Sequence, residues 1–380
     1  MRKTDINRSA ASAVILTAIF LAFIAFFTFG TLFTDDREFS EMENRTLAQK
    51  PEVSAKTLFS GELDDNFEDY LSDQIFLKDG MMSIKTCCDY FSGKTYQNGV
   101  YFSEGGYLLQ RYDEDTENIK KNVSYINAFA EKIGKRVDFL LVPNSISVNA
   151  EKLPMGAQTD DQLESIKLIS DSLSDDITLF NAYDTVKGLQ EQGIQAYYRT
   201  DHHWTASTAR ATADAWLESV GMSGTDANYL YREVPDFYGT LYSKAPAGFI
   251  KPDTFGYYEN ASGKYTLEYI AEKKFTYSMM DKSYLDKKDK YSAFLGGNFS
   301  QIKIESDCPD GGKLLILKDS YANSMIPLLA DKFSEIYVVD MRYFHFDKVS
   351  ELIEQNGIER VLMIYNLDFV NEDKNFIWLE

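Results

Sequence analysis

The sequence predicts an α/β protein built on a mostly parallel sheet. Strand-like apolar runs alternate with helix-period segments from Arg136 to Val220, and the alternation resumes from Lys313 to Tyr365. Helices of that length suit crossovers between parallel strands. A further observation sets the organisation of the chain. Residues 10–33, AASAVILTAIFLAFIAFFTFGTLF, are almost wholly apolar, and about 20 such residues suffice for a helix to span a bilayer core.

Arg2, Lys3 and Arg8 precede that run and Asp35 and Asp36 follow it. The asymmetry puts residues 1–9 in the cytoplasm and the remaining chain outside. The run is longer than a signal peptide's apolar region, and no small-residue cleavage site follows closely. A retained single-pass anchor is therefore expected at 10–33, with a cleaved signal peptide as the alternative. Residues 34–95 read as a stalk and helical segment: Arg37 to Lys56 is polar, Glu62 to Phe76 is an acidic amphipathic helix, and Met81 to Phe91 continues helically with Cys87 and Cys88 in its core face.

Residues 96–380 read as one large domain. Asn98 to Tyr112 has the pattern of a hairpin around Glu104-Gly105-Gly106. Helices are expected over Thr116–Ile133, Asp161–Leu173, Ala182–Gln192 and Ala206–Val220, and strands over Arg136–Val142 and Thr178–Phe180. Thr205 and Gly221 bound the last of these helices as N-cap and C′ residue. About 223–290 is aromatic and rich in Gly and Pro, and reads as an inserted substrate-facing or lid region with strands within Tyr265–Phe275. Strands at Lys313–Leu317, Ile336–Val339 and Val361–Tyr365 then alternate with helices at Ala322–Lys332 and Phe346–Asn356.

Charge and cysteine usage narrow the function. A formal charge of −20 argues against nucleic acid, which is bound through basic surface. Three cysteines, two of them adjacent, make no disulfide framework. No cofactor is expected.

The chemistry concentrates in Asp201-His202-His203-Trp204, which holds two of the three histidines. An acid, two imidazoles and an indole at the mouth of a helix are costly to bury without partners. A capping cluster is the bland alternative. A metal site is the sharper one, but adjacent residues diverge, no H-x-x-x-H or C-x-x-C spacing is present, and no metal is expected. In an extended loop Asp201 and His203 share a side and His202 points the other way, towards the core or the cleft wall. His203 is then a base oriented by Asp201 and needs a nucleophile from elsewhere. The apolar run Lys313–Lys318 leads into Asp319-Ser320 at a strand-to-helix turn, so Ser320 is the candidate nucleophile, helix capping being the alternative role.

Asp201-His202-His203-Trp204 is similar to the name-giving motif of the DHHW proteins. These resemble the SGNH-like alginate O-acetylation proteins, in which Asp and His precede the serine. Ser40-Glu-Met-Glu-Asn-Arg45-Thr-Leu, Asp236-Phe-Tyr-Gly239-Thr-Leu and Phe294-Leu-Gly-Gly-Asn298 extend the likeness from about residue 40 to the C-terminus. Lys318 stands where the related serine motif has glycine. The resemblance implies an SGNH-hydrolase-like, flavodoxin-type sheet with helices on both faces, and catalytic Asp201, His203 and Ser320. It implies an extracytoplasmic O-acetyltransferase of the bacterial cell envelope acting on a polysaccharide, with a membrane-bound O-acyltransferase as partner. A carbohydrate esterase and a non-catalytic glycan-binding accessory protein are the alternatives. Gly297 and Asn298 are expected to serve the oxyanion, and Arg342, His202 and Trp204 the substrate.

Overall fold

The computed structural model describes residues 2–60, 62–225, 228–260 and 262–379. It divides into two compact units, residues 1–92 with 246–249, and 93–245 with 250–380.

In the first unit, helix α1 (Arg2–Phe33) contains the span Ala11–Phe33, long and apolar enough to cross a membrane. Helices α2 (Glu62–Gln74) and α3 (Lys78–Phe91) follow. The Glu43–Arg45 segment is tied to their junction: Arg45 Nη1 donates to Asp73 Oδ2 at 2.8 Å, and Lys78 Nζ meets Glu43 at 2.7 Å and Asp73 at 2.9 Å. The Arg45 guanidinium holds the Asp73 carboxyl well below the usual carboxylate range, against the opposing effect of burial. Cys88 is exposed rather than in a core, because its position on α3 faces away from buried Thr86; all three cysteines are free.

The second unit is organised on one eight-stranded sheet. Its strands are β1 (Val137–Val142), β2 (Ile177–Asn181), β3 (Tyr265–Tyr269), β4 (Lys274–Thr276), β5 (Gln301–Ser306), β6 (Lys313–Lys318), β7 (Glu335–Val339) and β8 (Arg360–Asn366). They lie in the order β4-β3-β5-β7-β6-β8-β1-β2. The pairs from β7 to β2 are parallel; β5, β3 and β4 extend that edge antiparallel. Successive strand residues serve opposite faces. Phe139, Leu141, Leu315, Leu317 and Met363 join one core with Ile126 and Phe129 of α4 (Thr116–Ile133) and Ile169 of α5 (Gln162–Ser172). Leu140, Val142, Leu314, Ile316 and Ile364 join the other with Val186 of α6 (Tyr183–Glu191) and Ala213 and Trp216 of α7 (Ala206–Ser219). Burial on both faces explains why these strands read as continuous apolar runs.

If the five parallel strands are counted from β6 through β7 and β8, then on to β1 and β2, their spatial order is 2-1-3-4-5. That is the flavodoxin-type order, here with the chain opened before its fourth strand. The cut explains why the strand carrying Ser320 lies C-terminal to the Asp-His loop. It also puts the reversal of strand order beside β6, where ligands of such sheets bind at the carboxyl ends of the strands.

The structure extends two of the expected elements and corrects two helices. The hairpin expected at Asn98–Tyr112 is present, Val100–Phe102 pairing with Leu108–Gln110 around Glu104–Gly106, where Gly105 and Gly106 take positive φ; a third strand, Tyr96–Gln97, pairs with its first arm. The region 223–290 contains the strands expected within Tyr265–Phe275, present as β3 and β4. Its strand Tyr229–Phe237 pairs with Asp253–Asn260, and β3 and β4 complete the main sheet. The helix expected at Ala322–Lys332 is three short pieces, Ser320–Ser324 and Ala330–Lys332 in 3₁₀ form around Ile326–Leu329. Pro327 has no N–H to bond back into the preceding turn. The helix expected from Phe346 begins only at Val349, giving α8 (Val349–Asn356).

Candidate active site

The Asp201–Trp204 loop is narrow. Tyr197 and Trp204 form an antiparallel bridge, and Tyr198 N–H donates to the His203 carbonyl at 3.2 Å. Buried Asp253 anchors the loop from outside, accepting at Oδ2 from Thr200 N–H at 2.8 Å and the Thr200 hydroxyl at 2.7 Å. Thr205 then caps α7, its hydroxyl oxygen accepting from Thr208 N–H.

Within the loop, His203 Nδ1 lies 2.6 Å from Asp201 Oδ1, and His203 Nε2 lies 2.8 Å from Ser320 Oγ. Asp201 Oδ1 also accepts from His203 N–H at 2.9 Å, and Oδ2 from Thr240 N–H at 2.7 Å. Burial opposes the charge on Asp201, but His203 and His202 outweigh it, with the Thr240 N–H adding to them, and hold the carboxyl well below the usual carboxylate range. An ionised acceptor at that position selects the His203 tautomer that carries its proton on Nδ1, leaving Nε2 free to accept from Ser320.

The seat of Asp201 depends on Gly239. A Cβ built there meets Asp201 Cβ at 2.2 Å and Oδ2 at 2.3 Å. Neither Gly239 nor Thr240 stood out chemically in the sequence, although both lie in the segment that carried the family likeness. Tyr291 was also missed. Its ring stacks on His203 with centroids 3.6 Å apart and planes 8° apart, and its hydroxyl donates to Ser324 Oγ at 3.1 Å. No local pattern marks a tyrosine as the wall of a distant imidazole.

His202 does not point away from His203. Their ring centroids are 3.8 Å apart, because the loop is folded rather than extended, while His202 Nδ1 reaches Thr240 Oγ1 at 2.6 Å. Burial, and then His203, push the His202 pKa well down, so the ring is neutral at pH 7. Asp201, His202 and His203 offer ligand atoms within 4.8 Å of one another. Both nitrogens of His203 and both oxygens of Asp201 are already spent on protein partners, so a cation would have to displace these bonds.

Trp204 cannot serve the substrate as expected. It is fully buried, and its indole N–H donates to the Tyr321 carbonyl at 3.0 Å and Ser324 Oγ at 2.9 Å. It braces the turn that carries Ser320 from beneath. Asp319 holds the same turn from its other end, accepting from Tyr321 N–H at 2.8 Å, Asn366 N–H at 2.6 Å and the Asn366 amide at 2.7 Å.

Gly297 is likewise removed from the oxyanion role, because its N–H donates to the Phe294 carbonyl at 3.1 Å. Leu295, Gly296 and Gly297 all have positive φ, a strained run that side chains rarely tolerate and that delivers Asn298 beside the serine turn. The Asn298 Oδ1 accepts from Lys318 Nζ at 2.7 Å and Asn323 Nδ2 at 3.0 Å. Arg342 grips buried Asp340 with Nε at 2.8 Å and Nη2 at 2.6 Å, and its guanidinium lies 5.6 Å from the centre of the Phe369 ring.

Ser320, His202, Thr240 and Arg342 line one cleft of about 480 Å³, together with Gln110, Lys244, Asp368 and Phe369. The cleft lies at the carboxyl ends of β6, β7, β8 and β1, where the strand order reverses.

The DHHW protein family model matches residues 120–339, more than half of the chain. The chain belongs to the DHHW family. A DHHW family protein from Eubacterium siraeum, solved as a crystal structure, is 28% identical with a TM-score of 0.62, over 74% of this chain and 94% of that one. Bacillus cereus PatB1 superposes with a TM-score of 0.63 at 20% identity, covering 72% and 97% of the two chains. A second structure of PatB1 with a sulfonyl adduct gives 0.62 at 19% identity, over 74% and 100%. Among curated proteins none matches. The fold of this DHHW protein is thus the SGNH-like α/β fold of those neighbours, preceded by one apolar helix.

Proposed function

We propose that this DHHW protein is an extracytoplasmic O-acetyltransferase that works through a Ser320–His203–Asp201 triad on a cell-surface or secreted polysaccharide. The observation that carries the reading is the unbroken series from Asp201 Oδ1 through His203 to Ser320 Oγ, at 2.6 and 2.8 Å, opening into a cleft. Such a series serves to make a serine nucleophilic. PatB1 has been solved with a sulfonyl adduct, and activated nucleophiles capture sulfonyl groups; in this chain Ser320, hydrogen-bonded to His203, is the group placed for such capture.

In the first half-reaction Ser320 Oγ attacks the carbonyl carbon of an acetyl ester while His203 Nε2 takes the hydroxyl proton. Asp201 stabilises the resulting imidazolium. The Ser320 N–H and the Asn298 amide stabilise the oxyanion. The tetrahedral species collapses, the C–O bond of the donor breaks, and His203 protonates the departing alkoxide. In the second half a sugar hydroxyl attacks acetyl-Ser320, His203 takes its proton, and Ser320 leaves with that proton restored. Ala11–Phe33 is the retained anchor, with the second unit outside, and a membrane-bound O-acyltransferase supplies the acetyl group.

The test is turnover of a chromogenic acetyl ester by the purified protein. Ser320→Ala should abolish it, and His203→Ala should lower it by several powers of ten, whereas His202→Ala should cost far less, because His202 bonds Thr240 and not Ser320. Activity retained by Ser320→Ala sinks the triad. Addition of an oligosaccharide acceptor should yield acetylated sugar; free acetate alone would favour the esterase. Protease added to spheroplasts should digest the domain, and full protection would refute the topology.

A further inference from the structure

We infer that Lys318 is a positioning residue that works through Asn298: its buried ammonium, with the Asn323 amide, clamps the Asn298 carbonyl oxygen and turns the Asn298 –NH2 towards the oxyanion. This rests on the acyl-transfer reading above and names the device that serves it.

Lys318 is 1% exposed at the end of β6, where the related serine motif has a glycine. An ammonium has donors only, so the Asn298 atom 2.7 Å from Lys318 Nζ must be oxygen. Asn323 Nδ2 meets the same oxygen at 3.0 Å from the far side of the serine turn. Residues 318 and 323 bracket Ser320, so the oxygen of Asn298 is held from both ends of that turn. The geminal nitrogen is left as the free end of a side chain whose residue is itself exposed.

A second observation shows that this orientation is imposed. Asn323 Oδ1 is buried and has no hydrogen-bond partner among the described residues. Buried polar atoms are rarely left so, and turning the Asn323 amide over would set its oxygen against that of Asn298. The unpaired acceptor therefore persists as a consequence of donation to Asn298. Charge adds to geometry. Lys318 Nζ lies 3.2 Å from Asp340 Oδ2, and Asp340 is also gripped by Arg342. Burial lowers the Lys318 pKa, and Asp340 pulls it back up. A cation on the carbonyl side of an amide polarises its N–H bonds, which strengthens donation to an oxyanion on the other side.

The experiment is a double-mutant cycle on acetyl ester turnover. Removing one oxyanion donor typically costs about 10²–10³ in kcat. Lys318→Met and Asn298→Ala should each lower kcat by roughly that factor with KM little changed. The double variant should be no slower than Asn298→Ala alone, because a residue acting through another adds nothing once its partner is gone. Losses that multiply would overturn the inference, as would wild-type kcat in Lys318→Met. If Lys318→Met does not fold, Asn323→Ala tests the other half of the clamp, with a smaller loss and the same absence of additivity. A readout independent of turnover is the Asn298 side-chain amide resonance in ¹⁵N-labelled protein. The clamp predicts that Lys318→Met shifts and averages it, and an unchanged resonance refutes the clamp even in a protein without esterase activity. Absence of Ser320-dependent turnover in the wild type would count instead against acyl transfer.

Discussion

Gly239 has an ordinary backbone conformation, with φ −84°, so conformational freedom is not what requires glycine there. Space is. A methyl group at Gly239 would overlap Asp201, whose carboxylate is the fixed end of the Asp201–His203–Ser320 series. Gly239→Ala is therefore expected to push Asp201 off His203 at a stability cost of about 1–3 kcal/mol, as overpacking does. Misplacing the acid should lower kcat by up to about 10⁴. Urea unfolding and ester kinetics on the same samples check this, and a variant that loses stability but keeps kcat would show that Gly239 is only a spacer. At this scale Asp201 does meet His203, but in a folded loop rather than the extended one from which their spacing paired them. The direction of His202 was not legible, because it depends on a loop closed by the Tyr197–Trp204 bridge, and such closure leaves no local signature. Tyr291 and Thr240 were illegible for a related reason: each acts across more than 35 residues of chain.

At the level of elements, the strands and the long helices could be read because burial on two faces or one leaves periodic apolar patterns. The short 3₁₀ turn that carries Ser320 could not, since it is shaped by side chains from other elements. Trp204 is the plainest case: adjacent in sequence to the histidines, it faces inward and hydrogen-bonds the turn. Trp204→Phe keeps the ring and removes the N–H, leaving buried acceptors short of a donor. The expected loss is about 1–3 kcal/mol, measured by urea unfolding, with the ester KM unchanged. A raised KM at full stability would return Trp204 to the substrate side. The insertion 223–290 was legible in part: its strands within Tyr265–Phe275 could be read, but not the sheet they join. Its Gly and Pro content describes turns accurately, but β3 joins the sheet edge by pairing with β5, a partner later in the chain, and β4 follows by pairing with β3.

At the scale of the molecule, acidity meets the fold in the cleft. Asp368, half-buried there, has its pKa raised to about 7 by burial and by Glu372, while Lys244 and the hydrogen bond from Gln110 oppose the rise and Asp319 adds to it. In the unfolded chain an aspartate titrates near 3.9. Between about pH 4 and pH 7 the native state thus holds one more proton at this site than the unfolded state, and stability falls as pH rises through that window. The contribution is fully present below about pH 4 and is lost above about 7. Asp201 has the opposite sign: its depressed pKa stabilises above about pH 4 and fails only as the solution becomes more acidic, outside this window. Asp138 and Asp319 are raised by burial as Asp368 is, so the whole-protein profile alone cannot single out Asp368. Comparison with Asp368→Asn does, because the amide cannot titrate while the other groups remain. Thermal melts of both proteins from pH 4 to 8 should diverge, the wild type falling below the variant by a growing margin up to about pH 7 and running parallel beyond. Curves parallel across the whole range would mean that Asp368 titrates like an exposed carboxylate, with the cleft open enough to solvate it.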